Sequence, residues 1–298
     1  MTNIKKSGII TLCGRPNVGK STLTNTLVGE KVAIVSSKPQ TTRNRICAVL
    51  NREDTQFVFV DTPGLHRART RLGDYMVKVV RQSVADVDGV VLLVEPIANI
   101  GPAEEELIAR IKALGAPAAL VINKIDTVEK EALLAVIATY SQAYDWDAVV
   151  PISARTGEGV EDLLQVLSAW IPEGPQLFPE DVVTDQPERQ IMAEIVREKL
   201  LRSLDKEIPH GTAVEVTRFS QREDGIIDCH VTIYCEKASH KGIIIGKQGA
   251  MLKKISTQAR EDMEAFMGAK VYLETWVKVK ENWRDNPAAI QNFGYTQD

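Results

Sequence analysis

A phosphate-binding motif near the N-terminus restricts the folds open to this chain. Residues 14–21 read Gly-Arg-Pro-Asn-Val-Gly-Lys-Ser and fit the pattern G-x-x-x-x-G-K-[ST]. The apolar run Ile9–Cys13 before it is typical of a buried strand, and the segment from Ser21 to Gly29 is typical of a helix. A glycine loop in that position lets backbone N–H groups converge on phosphate, and the helix N-terminus adds a favourable dipole. The sequence therefore predicts a nucleoside triphosphate site.

The motif assigns roles within this loop. In this pattern the Lys20 amine contacts the β- and γ-phosphates, and the Ser21 hydroxyl binds Mg²⁺. A glycine-rich turn without a ligand is the alternative, and the flanking strand and helix make it the less favoured one. The candidate phosphate-binding residues are Gly14, Arg15, Pro16, Asn17, Val18, Gly19, Lys20, Ser21 and Thr22.

Length and composition fit an ordinary two-domain globular protein. The chain has 298 residues, of which 44% are hydrophobic and 26% charged, with a net charge of −4. A nucleic-acid site must therefore be a local basic patch. The longest apolar stretch, Gly89–Val94, is too short for a membrane span, and the N-terminus runs into the first strand without room for a signal peptide. Four cysteines lack zinc-site spacing and favour a reduced, cytosolic protein.

The first half alternates apolar runs with helical patterns. This order predicts an α/β P-loop domain with a mixed, mostly parallel sheet and helices on both faces. Only residues 51–56 separate the second and third strands, so this pair should form an antiparallel hairpin that leaves one reversed strand at the sheet edge. The predicted strands are Ile9–Cys13, Ile46–Leu50, Phe57–Asp61, Gly89–Glu95, Ala118–Asn123 and Val149–Ser153.

The second half predicts a smaller α+β domain behind a proline-rich linker. Residues 172–187 contain four prolines and four acidic residues without Lys or Arg, and Phe178 within them should dock on one domain. A helix over 189–204, two strands, an amphipathic helix from Leu252 to Phe266 and a last strand follow. We predict a nucleotide domain at 1–171, a linker at 172–187, the second domain at 188–281 and a C-terminal tail at 282–298.

The sequence Asn123-Lys124-Ile125-Asp126 selects the base. An ionised Asp126 can accept hydrogen bonds from both N1–H and the 2-amino group of guanine, a pairing that adenine cannot make. Asn123 can address the N7/O6 edge and brace the loop, while the Ala154 N–H can donate to the guanine oxygen. A plain strand-end turn is the alternative. The candidate guanine-binding residues are Asn123, Lys124, Asp126, Ser153, Ala154 and Arg155.

Two further segments predict the metal and γ-phosphate contacts. Asp61-Thr62-Pro63-Gly64 follows the third strand, where Asp61 can hold Mg²⁺ through water and the Gly64 N–H can bond the γ-phosphate. Thr41 or Thr42 should complete the Mg²⁺ shell, and we favour Thr42. Loops that order only around a γ-phosphate make a two-state switch. The metal set is Ser21, Thr42 and Asp61, and the catalytic set is Lys20, Thr42 and Gly64.

Leu65 follows Gly64 at the position where many small GTPases carry a water-orienting Gln. A leucine side chain forms no hydrogen bond, so intrinsic hydrolysis should be slow or depend on another group. Asn17 is a candidate for holding a monovalent cation near the phosphates, and a loop-stabilising Asn is an equally good interpretation.

A second glycine loop lies at Gly246-Lys-Gln-Gly249, before the amphipathic helix. Its glycines allow a nucleic-acid backbone to approach closely. Residues 237–254 contain five lysines, one histidine and no acid, although residues 188–298 carry as many acidic as basic side chains. A structural turn with a solvated basic face is the alternative. The candidate RNA-binding residues are Lys241, Ile245, Gly246, Lys247, Gln248, Gly249, Lys253 and Lys254.

Taken together, these motifs resemble the bacterial Era GTPases over nearly the whole chain. Gln-Thr-Thr-Arg-Asn, Asp-Thr-Pro-Gly-Leu-His, Asn-Lys-Ile-Asp and Ser-Ala-Arg follow the phosphate loop in family order, and Ile244-Ile-Gly-Lys-Gln-Gly and Glu274-Thr-Trp-Val-Lys-Val-Lys match its C-terminal half. Pro39 departs from the residue that the family often carries between Lys38 and Gln40.

The resemblance implies a GTP-hydrolysing switch with a type II KH domain that binds the 3′ end of small-subunit (16S) ribosomal RNA. It also implies a role in assembly of the 30S subunit, use of K⁺ beside Mg²⁺, which adds weight to Asn17, and peripheral association with the inner face of the cell membrane. We expect a cytoplasmic monomer. The competing hypotheses are an RNA chaperone with a mainly structural nucleotide site and a GTPase whose KH-like domain docks a protein.

Overall fold

The computed structural model of the chain describes residues 4–65, 68–83 and 87–295. His66, the last residue of the Asp-Thr-Pro-Gly-Leu-His motif, lies outside the described residues. Contacts divide the chain into two compact units. The first contains Met1–Ala33, Thr42–Arg67 and Met76–Asp185, and the second contains Ile34–Thr41, Ala68–Tyr75 and Gln186–Asp298.

The first unit is built around a mixed sheet. Its strands are β1 (Lys6–Cys13), β2 (Ile46–Arg52), β3 (Thr55–Asp61), β4 (Gly89–Val94), β5 (Ala118–Ile122) and β6 (Ala148–Pro151). Its helices are α1 (Lys20–Val28), the later turns of α2 (Arg71–Ser83), α3 (Pro102–Leu114), α4 (Lys130–Ala143) and α5 (Val160–Ser168). Over the described residues the strand order is β2-β3-β1-β4-β5-β6, parallel except for the β2–β3 hairpin. The predicted fold class and the reversed edge strand are confirmed.

Alternating side chains of the sheet fill two apolar clusters. In β4, Val91 and Leu93 join the cluster that contains α1 and α5 residues, while Val90 and Leu92 join the one that contains α3 and α4 residues. Both faces of a largely parallel sheet are thus covered, which explains the continuous apolar strand sequences. In the described part of the chain, none of the helices combines the length and the apolar character needed to cross a membrane.

Residues 180–185 lie against the edge of β2, and the N–H groups of Leu177 and Phe178 donate to Gln56 of β3. The Val49 N–H donates to the Val183 carbonyl at 2.9 Å, and the Thr184 hydroxyl donates to the Cys47 carbonyl at 2.7 Å. Phe178 packs on an apolar cluster formed by Cys47, Val58 and Val60, which confirms that it is docked. This proline-rich segment therefore covers a strand edge of the first unit.

The second unit packs helices on one face of an antiparallel–parallel sheet. Its elements are α6 (Glu188–Ser203), β7 (Ala213–Gln221), β8 (Ile227–Cys235), α7 (Ala238–Ile245), α8 (Ala250–Met267), β9 (Val271–Val279) and α9 (Pro287–Asn292). The described strands are ordered β7-β8-β9, with β7 antiparallel and β9 parallel to β8. Side chains of α6 and α8 share one core with the sheet. Helix α7 was not predicted, because eight residues with an internal Gly242 show no clear helical period.

Helix α6 is buried far more widely than the predicted single apolar face. Its positions from Ile191 to Leu201 are buried except for the half-buried Glu194, and the buried ones include Arg197, Glu198 and Lys199. The sequence pattern placed only apolar side chains in the core. Charged residues become buried where they find charged or backbone partners, and α6 has such partners.

Candidate nucleotide site and nucleic-acid interface

The phosphate loop joins β1 to α1 in a conformation that requires glycine. Gly14 (φ 151°) lies so close to the Leu93 carbonyl that a Cβ would stand 2.4 Å from its oxygen. Gly19 (φ 104°) caps α1 from the left-handed region. Thr22 lies half-buried in the first turn of α1. The loop therefore presents backbone N–H groups at a helix N-terminus, as the motif predicts.

The loop folds around its lysine. The Lys20 side chain is buried, and Nζ donates to the carbonyls of Gly14 at 3.1 Å and Arg15 at 2.9 Å. Burial lowers the pKa of Lys20 to about 8, and the nearby Asp61 carboxylate opposes part of that effect. A phosphate at this position would supply a nearby negative charge that stabilises the protonated Lys20 amine.

Other loop side chains serve the scaffold. Arg15 pairs with the fully buried Glu104 of α3 and lies 3.7 Å from Glu95, two partners that the sequence analysis did not identify. Val18 is part of the core, and Asn17 adopts a left-handed φ of 65°. At Arg15 and Val18, contact with phosphate is thus left to the backbone.

Three oxygen-bearing side chains meet beside Lys20. The Ser21 Oγ lies 2.6 Å from Asp61 Oδ2 and 2.7 Å from Thr42 Oγ1. Thr41 instead donates to the Lys38 carbonyl at 2.6 Å. Burial raises the pKa of Asp61 to about 6, and among the described residues its Oδ1 has no hydrogen-bond partner. Hydroxyl and carboxylate oxygens are the ligands of Mg²⁺, so this buried group fits that ion.

Gly64 and Leu65 are fixed by close packing. A Cβ on Gly64 would lie 2.5 Å from both N and Cα of Pro16, so only glycine allows this approach to the phosphate loop. The Leu65 N–H donates to the Gly14 carbonyl at 3.2 Å, and its side chain is buried in the apolar cluster with Val80. The side chain at 65 therefore does not orient water.

Asn123 braces three parts of the site. Its Nδ2 donates to the Val18 carbonyl at 2.7 Å, and its Oδ1 accepts from the Ala154 N–H at 2.9 Å. The same amide is so close to Gly19 that a Cβ there would lie 2.2 Å from Nδ2. Since the Ala154 N–H already donates to Asn123, a guanine oxygen would have to share it.

Asp126 is held as an ionised acceptor. Ser153 Oγ donates to its Oδ1 at 2.7 Å, and Arg155 Nη2 lies 2.5 Å from its Oδ2. The hydrogen bond from Ser153, followed by the Arg155 charge, holds the pKa of Asp126 below its ordinary value. Lys124 (φ 66°) pairs with Glu95 at 2.5 Å. The structure thus brings all six predicted guanine-site residues together.

The second glycine loop joins α7 to α8 with three positive φ angles: Gly246 at 73°, Gln248 at 52° and Gly249 at 79°. A Cβ on Gly246 would lie 2.7 Å from Cβ of Met251, whereas one on Gly249 would meet nothing within 4 Å. Gly246 is therefore required by packing as well as by its backbone angle.

Side chains around this loop point to solvent. Ile243 is 50% exposed, although its neighbour Ile244 is fully buried. Ile245 and Lys241 are half-buried, and the first turn of α8 carries no acid. The exposed polar residues of the predicted set are Lys247, Gln248, Lys253 and Lys254. Together they form a cationic surface at a helix N-terminus, suited to phosphate.

Comparison with known families matches both halves. The family described as 50S ribosome-binding GTPase matches residues 9–124, and the KH domain family matches residues 207–284. Among solved structures, Era bound to MgGDPNP and nucleotides 1506–1542 of 16S ribosomal RNA is 37% identical, covers 98% of this chain and has a TM-score of 0.94. A variant of Aquifex aeolicus Era bound to GDP·AlF₄⁻ gives the same three values.

Curated relatives match over nearly the full length. GTPase Era of Ruminiclostridium cellulolyticum is 50% identical over 290 residues, which cover 97% of each chain. GTPase Era of Alkaliphilus metalliredigens is 50% identical over 291 residues, 97% of this chain and 99% of its own. The chain belongs to the GTPase Era family.

Proposed function

We propose that this protein is a GTP-hydrolysing switch that binds 16S ribosomal RNA through its KH domain. The ionised Asp126, held by Ser153 and Arg155, is the observation that carries the choice of nucleotide. A carboxylate with two acceptor oxygens matches the two donors of guanine and leaves adenine without a partner.

Hydrolysis requires charge stabilisation at the γ-phosphate. Lys20 supplies a cation, and Gly64 can supply a backbone N–H from a position that a side chain would block. Ser21, Thr42 and Asp61 would hold Mg²⁺, which neutralises charge on the phosphates when bound. Thr42, rather than Thr41, is the proposed ligand because its hydroxyl lies next to Ser21.

We assign a monovalent cation to the same step. The Leu65 side chain is buried among apolar residues, so position 65 offers neither charge nor hydrogen bond to the transition state. Asn17, in its left-handed turn of the phosphate loop, is the proposed ligand for K⁺. Hydrolysis by wild type should be faster in KCl than in NaCl, and Asn17→Ala should remove this difference. Equal rates in both salts would refute the K⁺ assignment.

RNA binding is assigned to the Gly246–Gly249 loop and the lysines around it. The name of the first family mentions the 50S subunit, but its match ends at residue 124 and so concerns the nucleotide-binding part. The relative solved with a 16S fragment covers 98% of this chain, including the KH match.

A role in 30S assembly, peripheral membrane association, the monomeric state and domain boundaries at 171, 187 and 281 remain predictions.

The nucleotide assignment is tested by a change of base specificity. Asn in place of Asp126 presents one donor and one acceptor, which suits the 2-oxo edge of xanthine. Asp126→Asn should weaken GTP binding by about 100-fold or more and favour xanthosine triphosphate. Competition binding measures this, and an unchanged GTP preference would refute the role of Asp126.

The RNA assignment is tested with a 16S 3′-end oligonucleotide. Lys247→Asp with Gln248→Asp places two carboxylates where phosphates should lie, yet suits the helix dipole, so the fold should survive. RNA binding should fall about 30-fold or more, an effect of about 2 kcal/mol, with basal GTP hydrolysis retained. Lys270→Asp, at an exposed lysine outside the loop, is the control. Unchanged RNA binding by the double variant would favour a protein-docking domain. Absence of GTP turnover in wild type would favour an RNA chaperone.

A further inference from the structure

The segment Ile34–Thr41, just before Thr42, is held by charged residues of α6 within the second unit. The Val35 N–H donates to Glu198 Oε1 at 2.9 Å, and the Val35 carbonyl accepts from Arg202 Nη2 at 2.9 Å. Glu198 and Arg202 are themselves paired at 3.0 Å. Both the N–H and the carbonyl of Val35 are therefore hydrogen-bonded to side chains of α6.

Further contacts anchor the rest of the segment. Arg197, fully buried, donates to the carbonyls of Gln40 and Thr41, and Lys38 donates to the carbonyl of Leu204. Backbone atoms at both ends of the segment are thus fixed by α6. Because the contacts at Val35, Gln40 and Thr41 use backbone atoms of the segment, its position depends on the charged residues of α6.

The same network continues to α8. Glu198 Oε2 lies 3.1 Å from Lys199 Nζ, which lies 2.5 Å from Asp262 Oδ2 on α8. Glu198 is fully buried and Lys199 nearly so. Two carboxylates and the cations of Lys199 and Arg202 balance in charge. Gly249 is the N-cap of α8, so the network links the helix behind the glycine loop to the segment that precedes Thr42.

Buried ion pairs contribute little net stability compared with apolar residues of the same volume. A buried network that forms hydrogen bonds with the backbone of the 34–41 segment is better explained by the position in which it holds that segment. With the segment anchored, the next residue, Thr42, has its hydroxyl 2.7 Å from Ser21 Oγ. We propose that Glu198 is a positioning residue for GTP hydrolysis. It holds the 34–41 segment so that Thr42 is pre-organised for the metal. Through Lys199 and Asp262 it also connects that segment to α8. This inference rests on the proposed function.

The first test separates positioning from folding. Glu198→Gln turns an amide donor toward Lys199, and Arg202→Met removes the Val35 contact from a side chain that is half exposed and so carries little folding risk. Both should lower kcat three- to tenfold and weaken a non-hydrolysable GTP analogue with Mg²⁺, while GDP affinity stays within twofold, because GDP lacks the γ-phosphate around which Thr42 closes. Arg260→Met, which breaks a similar i,i+4 pair on α8, is the control.

The second test examines the tie to α8. RNA affinity is measured with GDP and with the GTP analogue, and the ratio reports the coupling between nucleotide and RNA. Asp262→Asn should bring this ratio at least threefold closer to one, with RNA affinity in GDP within twofold of wild type. Glu261→Gln, at the exposed neighbouring position, should leave the ratio unchanged.

The outcomes distinguish this inference from the proposed function. A wild-type ratio of one, an Asp262→Asn ratio equal to wild type, or equal losses of GDP and GTP-analogue affinity in Arg202→Met would each overturn the inference. GTP turnover and RNA binding by wild type would still support the proposed function in those cases. Absent turnover or absent RNA binding would instead refute the proposed function itself.

Discussion

The nucleotide site and the glycine loop of the KH domain both prepare a helix N-terminus for phosphate, but they do so in opposite ways. In the first unit, Lys20, Asn123 and Asp126 already engage protein groups through hydrogen bonds. In the second unit, the loop residues Lys247 and Gln248 are exposed, and no side chain among the described residues caps α8 at Gly249.

The difference reflects what each ligand demands. A guanine nucleotide is small, so discrimination requires hydrogen-bonding groups that are penalised when left unpaired. An RNA strand is long and charged, and exposed cations with close backbone approach suffice for affinity. Single substitutions should therefore cause large losses of nucleotide binding or hydrolysis in the nucleotide site and smaller losses of RNA affinity in the Gly246–Gly249 loop.

The largest effect is expected at Gly64. In Gly64→Ala the new methyl group would lie 2.5 Å from backbone atoms of Pro16, so the two loops must separate. Loss of one preorganised donor at the reacting phosphate should lower GTP hydrolysis about 100-fold, with a smaller loss of GDP affinity. Gly242→Ala, where nothing lies within 4 Å, is the control in single-turnover assays. A near-normal rate in Gly64→Ala would contradict the tight approach.

Asn123 tests whether bracing and base reading are separate. Asn123→Ala leaves the buried Val18 carbonyl and Ala154 N–H without their partner, and should lower the free energy of unfolding without nucleotide by about 2 kcal/mol. Asp126→Ala, at a position nearer the surface, should change it by less than about 0.5 kcal/mol. Denaturant unfolding of both variants measures the difference. Equal effects would mean that Asn123 does not brace the site.

The RNA loop should respond in a graded manner. Gly246→Ala brings a methyl group within 2.7 Å of Met251 and strains a positive φ, so RNA affinity should fall about tenfold. Gly249→Ala has the strain without the contact and should lose only about threefold. Filter binding with the 16S oligonucleotide compares them. A larger loss in Gly249→Ala would reverse the assignment of Gly246 as the packed glycine.

The cysteines offer the mildest comparison of the two units. Burial raises the pKa of Cys13 and of Cys47 to about 12 and that of Cys229 to about 11. Because the folded state keeps these protons above pH 9, where the unfolded thiols ionise, stability should fall as pH rises from about 9 to 11.

Thiol labelling at pH 8 should be slow in the native protein and should follow local opening. Addition of Mg²⁺ and GDP should slow labelling of Cys13 more than that of Cys229, because only Cys13 adjoins the phosphate loop. Equal protection at both positions would show that the units open together.

The placement of the candidate nucleotide-site residues was predictable because they belong to short motifs at the ends of successive strands. The spacing alone placed Ser21, Asp61 and Asp126, since parallel strands deliver their carboxyl ends to one edge. Glu104 could not be predicted, because its buried pairing with Arg15 depends on how α3 packs. The same holds for the 34–41 segment, whose partners on α6 lie more than 150 residues away.

Helix α6 shows where periodicity misleads. The pattern identified Ile191, Ile195 and Leu200 as core residues, and they are buried. It gave no signal for Arg197 or Glu198, because hydrophobic spacing describes one apolar face and says nothing of charges satisfied by distant backbone.

The proline-rich stretch after α5 has a consequence for solubility. By pairing with Val49 and Cys47, residues 183–185 occupy hydrogen-bonding groups that β2 would otherwise present along an open sheet edge. Bare edges of this kind invite strand exchange and intermolecular sheet growth. A fragment that ends at residue 171 would expose this edge and the apolar patch beneath Phe178, and we expect it to self-associate. A fragment that ends at residue 186 would keep the edge paired, and we expect it to stay dispersed.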